Sequence, residues 1–240
     1  MNKTDLIIIG SGPGGYRAAE YAAKNGLSVV MIEKDHIGGT CLNEGCIPTK
    51  TLCHQAKVID TLTDAENFGL SGMSYSIDFP KIMERKETVI YQLKNGIEVL
   101  MQQSGVTVIM GEARLKDEHT VSVGEEEYTA KNIIIATGSH AKMPLIEGID
   151  SDIVITSREL LHIHDIPKRL CIVGAGVIGM EFASVFSSFG SEVTVIEFLK
   201  ESLPVLDSDI AKRLRQTLAK RGVNFYMQSA VKEISGHTVI

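Results

Sequence analysis

Apolar residues cluster in short runs that stop at glycine. Leu6 to Ile9 is one such run, closed by Gly10; a helix-forming stretch follows to Lys24, and a second run, LSVVMIE, ends at Glu33. Strand, glycine turn, helix and strand in that order predict a compact βαβ unit. The stretch RLCIVGAGVIGMEFASVFSSFGSEVTVIEF, residues 169–198, repeats the pattern, with Gly174, Gly176 and Gly179 in the places of Gly10, Gly12 and Gly15. Between the two units, Ile82, Val89, Leu93, Ile97 and Leu100 fall at helical spacing, which predicts a long amphipathic helix over 81–103 covering the first domain. Short alternating segments follow from Val106, with a charged turn at 124–127, and predict a small β-meander that returns to a buried strand, NIIIATG. Pro144 and Gly148 mark a crossing between domains. The expected architecture is α/β: two Rossmann-like dinucleotide-binding units, residues 1–143 and 144–240, with the long helix and the meander inserted in the first.

Composition narrows the class of partner. A chain of 240 residues, 44% hydrophobic, has room for a sizeable core in one or two domains. Its formal net charge of -6 provides no electrostatic footprint for nucleic acid or an anionic membrane surface, so a small-molecule partner is expected. The apolar run before Gly10 is too short for a signal-peptide core or a membrane span, which predicts a cytoplasmic protein.

Each glycine turn has a chemical reading. In G-x-G-x-x-G the first glycine permits the tight turn, the second lets a pyrophosphate approach the backbone, and the third lets helix pack on strand. The helix N-terminus supplies unpaired N–H groups to phosphate. Glu33 ends the second strand 18 residues after Gly15, and Glu197 stands 18 residues after Gly179. A carboxylate there accepts hydrogen bonds from a ribose diol and repels a 2'-phosphate, so the second unit is expected to prefer NAD to NADP. A βαβ unit without ligand is the bland alternative.

Two cysteines stand close together in GGTCLNEGCIPTK, at Cys41 and Cys46. A zinc site would need two further ligands at recognisable spacing. Cys53 and Cys171 fall in helical and buried-strand contexts, and His36 and His54 form no paired motif, so no metal is expected. Inert buried thiols are a second alternative. A redox pair is the third, and it draws on context: a helix is predicted to begin near Cys46, with Lys50 one turn further on.

GGTCLNEGCIPTK, with GSGPGG, IIIATGS and GAGVIGMEFAS, resembles the pyridine nucleotide-disulfide oxidoreductases, and within them the NAD-linked branch that oxidises dihydrolipoamide. The resemblance implies FAD on the first unit and NAD on the second. It makes Cys46 the thiol against the flavin and Cys41 the thiol that exchanges with substrate. Lys50 would lie near the reactive flavin nitrogen and pair with Glu181. It further assigns Gly10, Gly12, Gly14, Gly15, Glu33, Lys34, Gly39, Thr40, Gly111, Ala113, Ala136, Thr137 and Gly138 to the flavin nucleotide. Gly174, Gly176, Val177, Ile178, Gly179, Glu197 and Val231 are assigned to NAD.

The implied partners are dihydrolipoamide or the lipoyl domain of a 2-oxoacid dehydrogenase or glycine cleavage complex, and a homodimer in the full-length family. The family's histidine-glutamate base belongs to a C-terminal dimerisation domain, so no histidine here is assigned a catalytic role. ISGHTVI reads as the inside of a β-hairpin, and the chain as the N-terminal half of a longer enzyme. Rival readings are a mercuric or glutathione-type reductase and a non-catalytic flavin-binding fragment. Glu44 between the cysteines, where relatives often carry an uncharged residue, would modestly disfavour a nearby thiolate.

Overall fold

The computed structural model describes residues 2–240. In chain order the elements are β1 (Asn2–Ile9), α1 (Pro13–Lys24), β2 (Val29–Glu33), α2 (Gly39–Asn43), α3 (Cys46–Thr63), α4 (Phe79–Gln103), β3 (Thr107–Met110), β4 (Ala113–Leu115), β5 (Thr120–Val123) and β6 (Glu126–Ile135). There follow α5 (Ser157–Leu160), β7 (Arg169–Val173), α6 (Val177–Ser188), β8 (Glu192–Glu197), α7 (Ser208–Lys220), β9 (Asn224–Met227), β10 (Ile234–Ser235) and β11 (Thr238–Val239). They form two compact units. The first holds the chain up to Pro48 and again over Glu87–His140; the second holds Thr49–Lys86 and Ala141–Ile240.

The first unit is built on a six-stranded sheet of order β3-β2-β1-β6-β5-β4. β1 lies parallel to both β2 and β6, with Ile7 opposite Val30 on one side and Ile133 on the other. Alternation along β1 explains why its apolar run is continuous. Leu6 and Ile8 join Ala19, Ala22 and Met101 on the helical face, while Ile7 joins Val30, Val121 and Tyr128 on the other, so both faces are buried.

Three expectations change here. Thr107–Met110 does not belong to the meander: it pairs parallel with β2 as the sheet's edge strand, and the antiparallel meander is β4-β5-β6 alone. The strand NIIIATG is not buried at its end, where Ile134 and Ile135 are 37% and 64% exposed. On α4, Leu93 is exposed; the buried positions in the first unit are Ile90 and Met101, with Ile97 and Leu100 packed beside them.

The second unit carries a parallel sheet of order β7-β8-β9, with α6 and α7 as the crossovers. Its core gathers Phe182, Phe186 and Phe189 of the α6 region with Leu52 and Ala56 of α3 and Phe79 of α4. Phe79 and Phe186 each meet the Phe189 ring edge-on at 5.9 Å. Lys86 is fully buried in this unit and donates to the Leu161 carbonyl, at the end of α5. Among the described residues the core of this unit packs on one face of the sheet. Leu170, Ile172, Val193 and Val195 point to the core, whereas Cys171, Val173 and Tyr226 are exposed. The expected buried context of Cys171 is therefore wrong, because Cys171 alternates with the core-packed Leu170 and Ile172 and takes the opposite, exposed face of β7. The β10-β11 hairpin is tied back by the Ile234 N–H, which donates to the Glu147 carbonyl at 2.8 Å.

Candidate active site

In the first unit the residues singled out by sequence collect at the carboxyl ends of the parallel strands, where open α/β sheets bind ligands. Gly10 follows β1, Glu33 ends β2, Gly111 follows β3 and Ala136 follows β6. Backbone hydrogen bonds lock these ends together. The Gly10 N–H donates to Ile32 O, the Gly111 N–H to Glu33 O and the Ala136 N–H to Ile9 O, all at 2.7–2.8 Å. Gly12 caps α1, and Gly14 and Gly15 lie in its first turn. A Cβ on Gly15 would sit 1.9 Å from the Gly10 carbonyl oxygen, so only glycine lets the helix start this close to the turn. Ala113 opens β4, and Lys34, Thr40, Thr137 and Gly138 are exposed around this edge.

Glu33 is 8% exposed and its carboxylate organises the turn. Oε2 accepts the Ser11 N–H at 2.9 Å and the Ser11 hydroxyl at 2.7 Å, and Oε1 accepts the Asp35 N–H at 2.8 Å. Burial pushes this carboxyl upward, but hydrogen bonds from Asp35, Ser11 and Lys34 outweigh it and leave the pKa below the usual carboxylate value. The ionised form is held in place.

The cysteine loop packs directly on this turn. Gly38, with φ +95°, caps the short helix α2, which carries Cys41. A Cβ on Gly39 would lie 2.7 Å from Gly12 Cα, so the two loops touch backbone to backbone. The Asn43 side-chain amide donates to Ile37 O at 3.0 Å and to Gly39 O at 2.9 Å, closing the loop on itself. Cys41 is half-buried and Cys46, the first residue of α3, is exposed.

One turn further along α3 stands Lys50, in the second unit. Its Nζ donates to Glu181 Oε1 of α6 at 2.7 Å. Cys53, the next turn on, is a half-buried thiol pushed up by burial and by the Glu181 carboxylate, which disfavours its thiolate.

The second unit repeats the first turn almost bond for bond. Gly174 follows β7, Gly176 caps α6, and a Cβ on Gly179 would lie 2.1 Å from the Gly174 carbonyl oxygen. Glu197, also 8% exposed, accepts the Ala175 N–H at 2.6 Å and the Leu199 N–H at 2.7 Å. Val177 and Ile178 stand on the first turn of α6 and are about half exposed. Val231 lies past β9, two residues beyond Ser229, whose N–H donates to Glu197 O at 2.9 Å.

Sequence reasoning missed Ser11, Ala175 and Asn43. Ala175 acts through its backbone N–H, which no residue type announces; Ser11 adds a hydroxyl to its N–H, and it and Asn43 carried a signal, as side chains able to bond a nearby backbone. Among the described residues no group of three His, Cys, Asp or Glu side chains is arranged to hold a metal ion. No helix among them is long and apolar enough to cross a membrane.

The family Pyridine nucleotide-disulphide oxidoreductase matches residues 4–239. The chain is 45% identical to the dihydrolipoyl dehydrogenase of Acholeplasma laidlawii, over 98% of this chain and 71% of that one. It is 40% identical to the dihydrolipoyl dehydrogenase of Mycoplasma genitalium, over 95% of this chain and 51% of that one. Among solved structures, the Cu(II) complex of the HOCl-induced flavoprotein disulfide reductase RclA from Escherichia coli superposes with a TM-score of 0.86 at 36% identity. That match covers 99% of this chain and 52% of the reductase, so the chain spans about half the length of several relatives it matches. With two dinucleotide turns, a cysteine loop docked on the first and a family match running from Thr4 to Val239, the chain belongs to the pyridine nucleotide-disulphide oxidoreductases.

Proposed function

We propose that the chain is the FAD- and NAD-binding part of an NAD-linked dihydrolipoyl dehydrogenase, with residues 1–143 serving FAD and 144–240 serving NAD. The observation that carries this reading is the packing of Gly39 against Gly12, which sets a two-cysteine loop on a dinucleotide turn. The residues fit the cofactors. Open backbone at the α1 and α6 N-termini suits pyrophosphate, and Glu33 and Glu197 suit ribose hydroxyls. An ionised carboxylate has about four acceptor positions, so the two N–H bonds to Glu197 leave room for a diol. The same negative charge disfavours the 2'-phosphate of NADP.

The structure holds Cys41 and Cys46 as thiols rather than as a disulfide; in the oxidised form, where they would be joined, a thiolate of dihydrolipoamide attacks Cys41 Sγ, and the sulfur–sulfur bond breaks to release Cys46 as thiolate. The second substrate thiol then attacks the mixed disulfide, Cys41 leaves, and lipoamide departs with its ring closed. Two electrons now reside on the cysteine pair. The α1 turn and Glu33 would hold FAD, which would supply the two-electron acceptor beside the cysteine pair, and the α6 turn and Glu197 would hold NAD as the final hydride acceptor. Lys50, held by Glu181, presents a fixed positive charge. The partners are the lipoyl group of a 2-oxoacid dehydrogenase or glycine cleavage complex and, for the whole enzyme, a second copy; the compartment is the cytoplasm.

The likeness to the E. coli reductase favours a second reading, a flavoprotein disulfide reductase with a different disulfide substrate. An anaerobic visible spectrum of the purified chain, before and after one equivalent of dihydrolipoamide, separates the two. Bound flavin that is reduced and then reoxidised by NAD supports the first reading. Bound flavin untouched by dihydrolipoamide favours the second, and no flavin at all sinks the cofactor assignment for this chain.

A further inference from the structure

Ser11 is fully buried between the Glu33 carboxylate and the loop that carries Cys41. Its hydroxyl donates to Glu33 Oε2 at 2.7 Å and accepts the Gly38 N–H at 3.2 Å, an N–H that the Ser11 carbonyl shares at 3.2 Å, as the Ala175 carbonyl takes the Leu203 N–H in the second unit; the hydroxyl is the contact the second unit lacks. Gly38 is the cap of α2, and Cys41 lies three residues on. The chain's own second unit is the control. There Ala175, equally buried, fills the place of Ser11, its N–H reaches Glu197, and its carbonyl accepts the Leu203 N–H at 2.9 Å. Holding the acid to the turn therefore needs no hydroxyl. The hydroxyl occurs in the unit whose next loop carries the cysteines.

We infer that Ser11 is a positioning residue: its hydroxyl registers the α2 cap, and through it Cys41, against the carboxylate that the cofactor's ribose would use. The inference rests on the reading of Cys41 as a reactive thiol and of Glu33 as a dinucleotide ligand. Ser11 itself touches neither substrate nor reacting atoms.

The test is peptide-resolved alkylation of the reduced full chain by iodoacetamide, comparing Ser11→Ala with wild type at one pH. Alanine occupies the equivalent place in the second unit, so the turn is expected to persist. Cys41 should react about fivefold faster in Ser11→Ala, the opening governed by roughly one net hydrogen bond, while exposed Cys171 and half-buried Cys53 keep their wild-type rates. An unchanged Cys41 rate, or a rise shared by Cys53, overturns the inference, because the second outcome marks general loosening. Amide hydrogen exchange gives a second reading: the Gly38 N–H keeps its bond to the residue 11 carbonyl in either chain, so it should exchange about fivefold faster in Ser11→Ala than in wild type, with the Gly10 N–H, held by Ile32 O, unchanged as the control for folding. Equal Gly38 rates in the two chains overturn the inference. Neither readout requires bound cofactor; flavin retention is followed separately by absorbance, so failure of the functional reading and failure of the Ser11 role are told apart.

Discussion

Lys50 Nζ and Glu181 Oε1 lie 2.7 Å apart although 131 residues separate them in the chain. The Lys50 side chain is 61% exposed and that of Glu181 26%, and an ion pair this wet contributes about 0.2–1 kcal/mol to folding. So small a contribution directs attention to chemistry rather than stability. Replacing Glu181→Gln should change the unfolding free energy by less than ~1 kcal/mol yet lower dithiol-to-NAD turnover by about tenfold or more, as expected when a preorganised charge is lost. Parallel urea titrations and turnover assays check this. A large stability loss with turnover retained would assign the pair to the fold instead.

Nucleotide choice turns on Glu197. Its charge stands at the carboxyl end of β8, fixed by the N–H groups of Ala175 and Leu199. Glu197→Arg should move the NADP-to-NAD ratio of kcat/KM by about tenfold or more toward NADP, equivalent to roughly 1.4 kcal/mol. Because arginine also abandons two hydrogen bonds, Glu197→Gln is the companion variant: it keeps acceptors without charge and should weaken NAD binding with little gain for NADP. If Glu197→Arg leaves the ratio unmoved, the carboxylate does not set the preference.

Cys46 and Cys53 share α3 seven residues apart, yet their surroundings differ. Cys46 is exposed at the first residue of the helix; Cys53 is half-buried and raised by burial beside Glu181. Cys46→Ser should abolish dithiol oxidation while flavin absorbance stays with the protein, and Cys53→Ser should leave turnover within about twofold of wild type. Turnover surviving Cys46→Ser would remove the cysteine pair from the mechanism.

What could be read from the sequence follows a physical division. Gly10, Gly15 and Glu33 announce themselves because a tight turn, a close helix start and a buried acid each demand one residue type at a fixed spacing. Cys41 and Cys46 are legible for the same reason. Ser11 and Asn43 are not, since what matters is which backbone group each one meets across a turn. The β3 strand looked like part of the meander because VTVIM alternates equally well in either pairing; only the α4 crossover returns it parallel to β2. Periodicity likewise identified the apolar strands at Ile135 and Cys171 without revealing which face another layer covers. Local chemistry was visible, and coverage was not.

Acid stability should depend on Glu201. Its carboxylate receives the Arg215 Nε at 2.6 Å and Nη2 at 2.9 Å, and accepts the Ser202 N–H at 2.9 Å, binding the loop after β8 to α7. The Arg215 guanidinium holds the Glu201 pKa down at about 2, from an ordinary 4.5. A carboxyl depressed in the folded state stabilises it above the unfolded pKa and loses that contribution as pH falls through the folded one. The window is therefore about pH 4.5 down to 2. Both side chains keep about a quarter of their surface in water, so the contribution is on the order of 1 kcal/mol. Glu201→Gln should melt a few degrees below wild type at pH 7, and the gap should close as both are titrated to pH 2. Melting curves at half-unit steps measure it; a gap that stays constant across the window would mean that the charge on Glu201 contributes nothing and that the loop is held by packing alone.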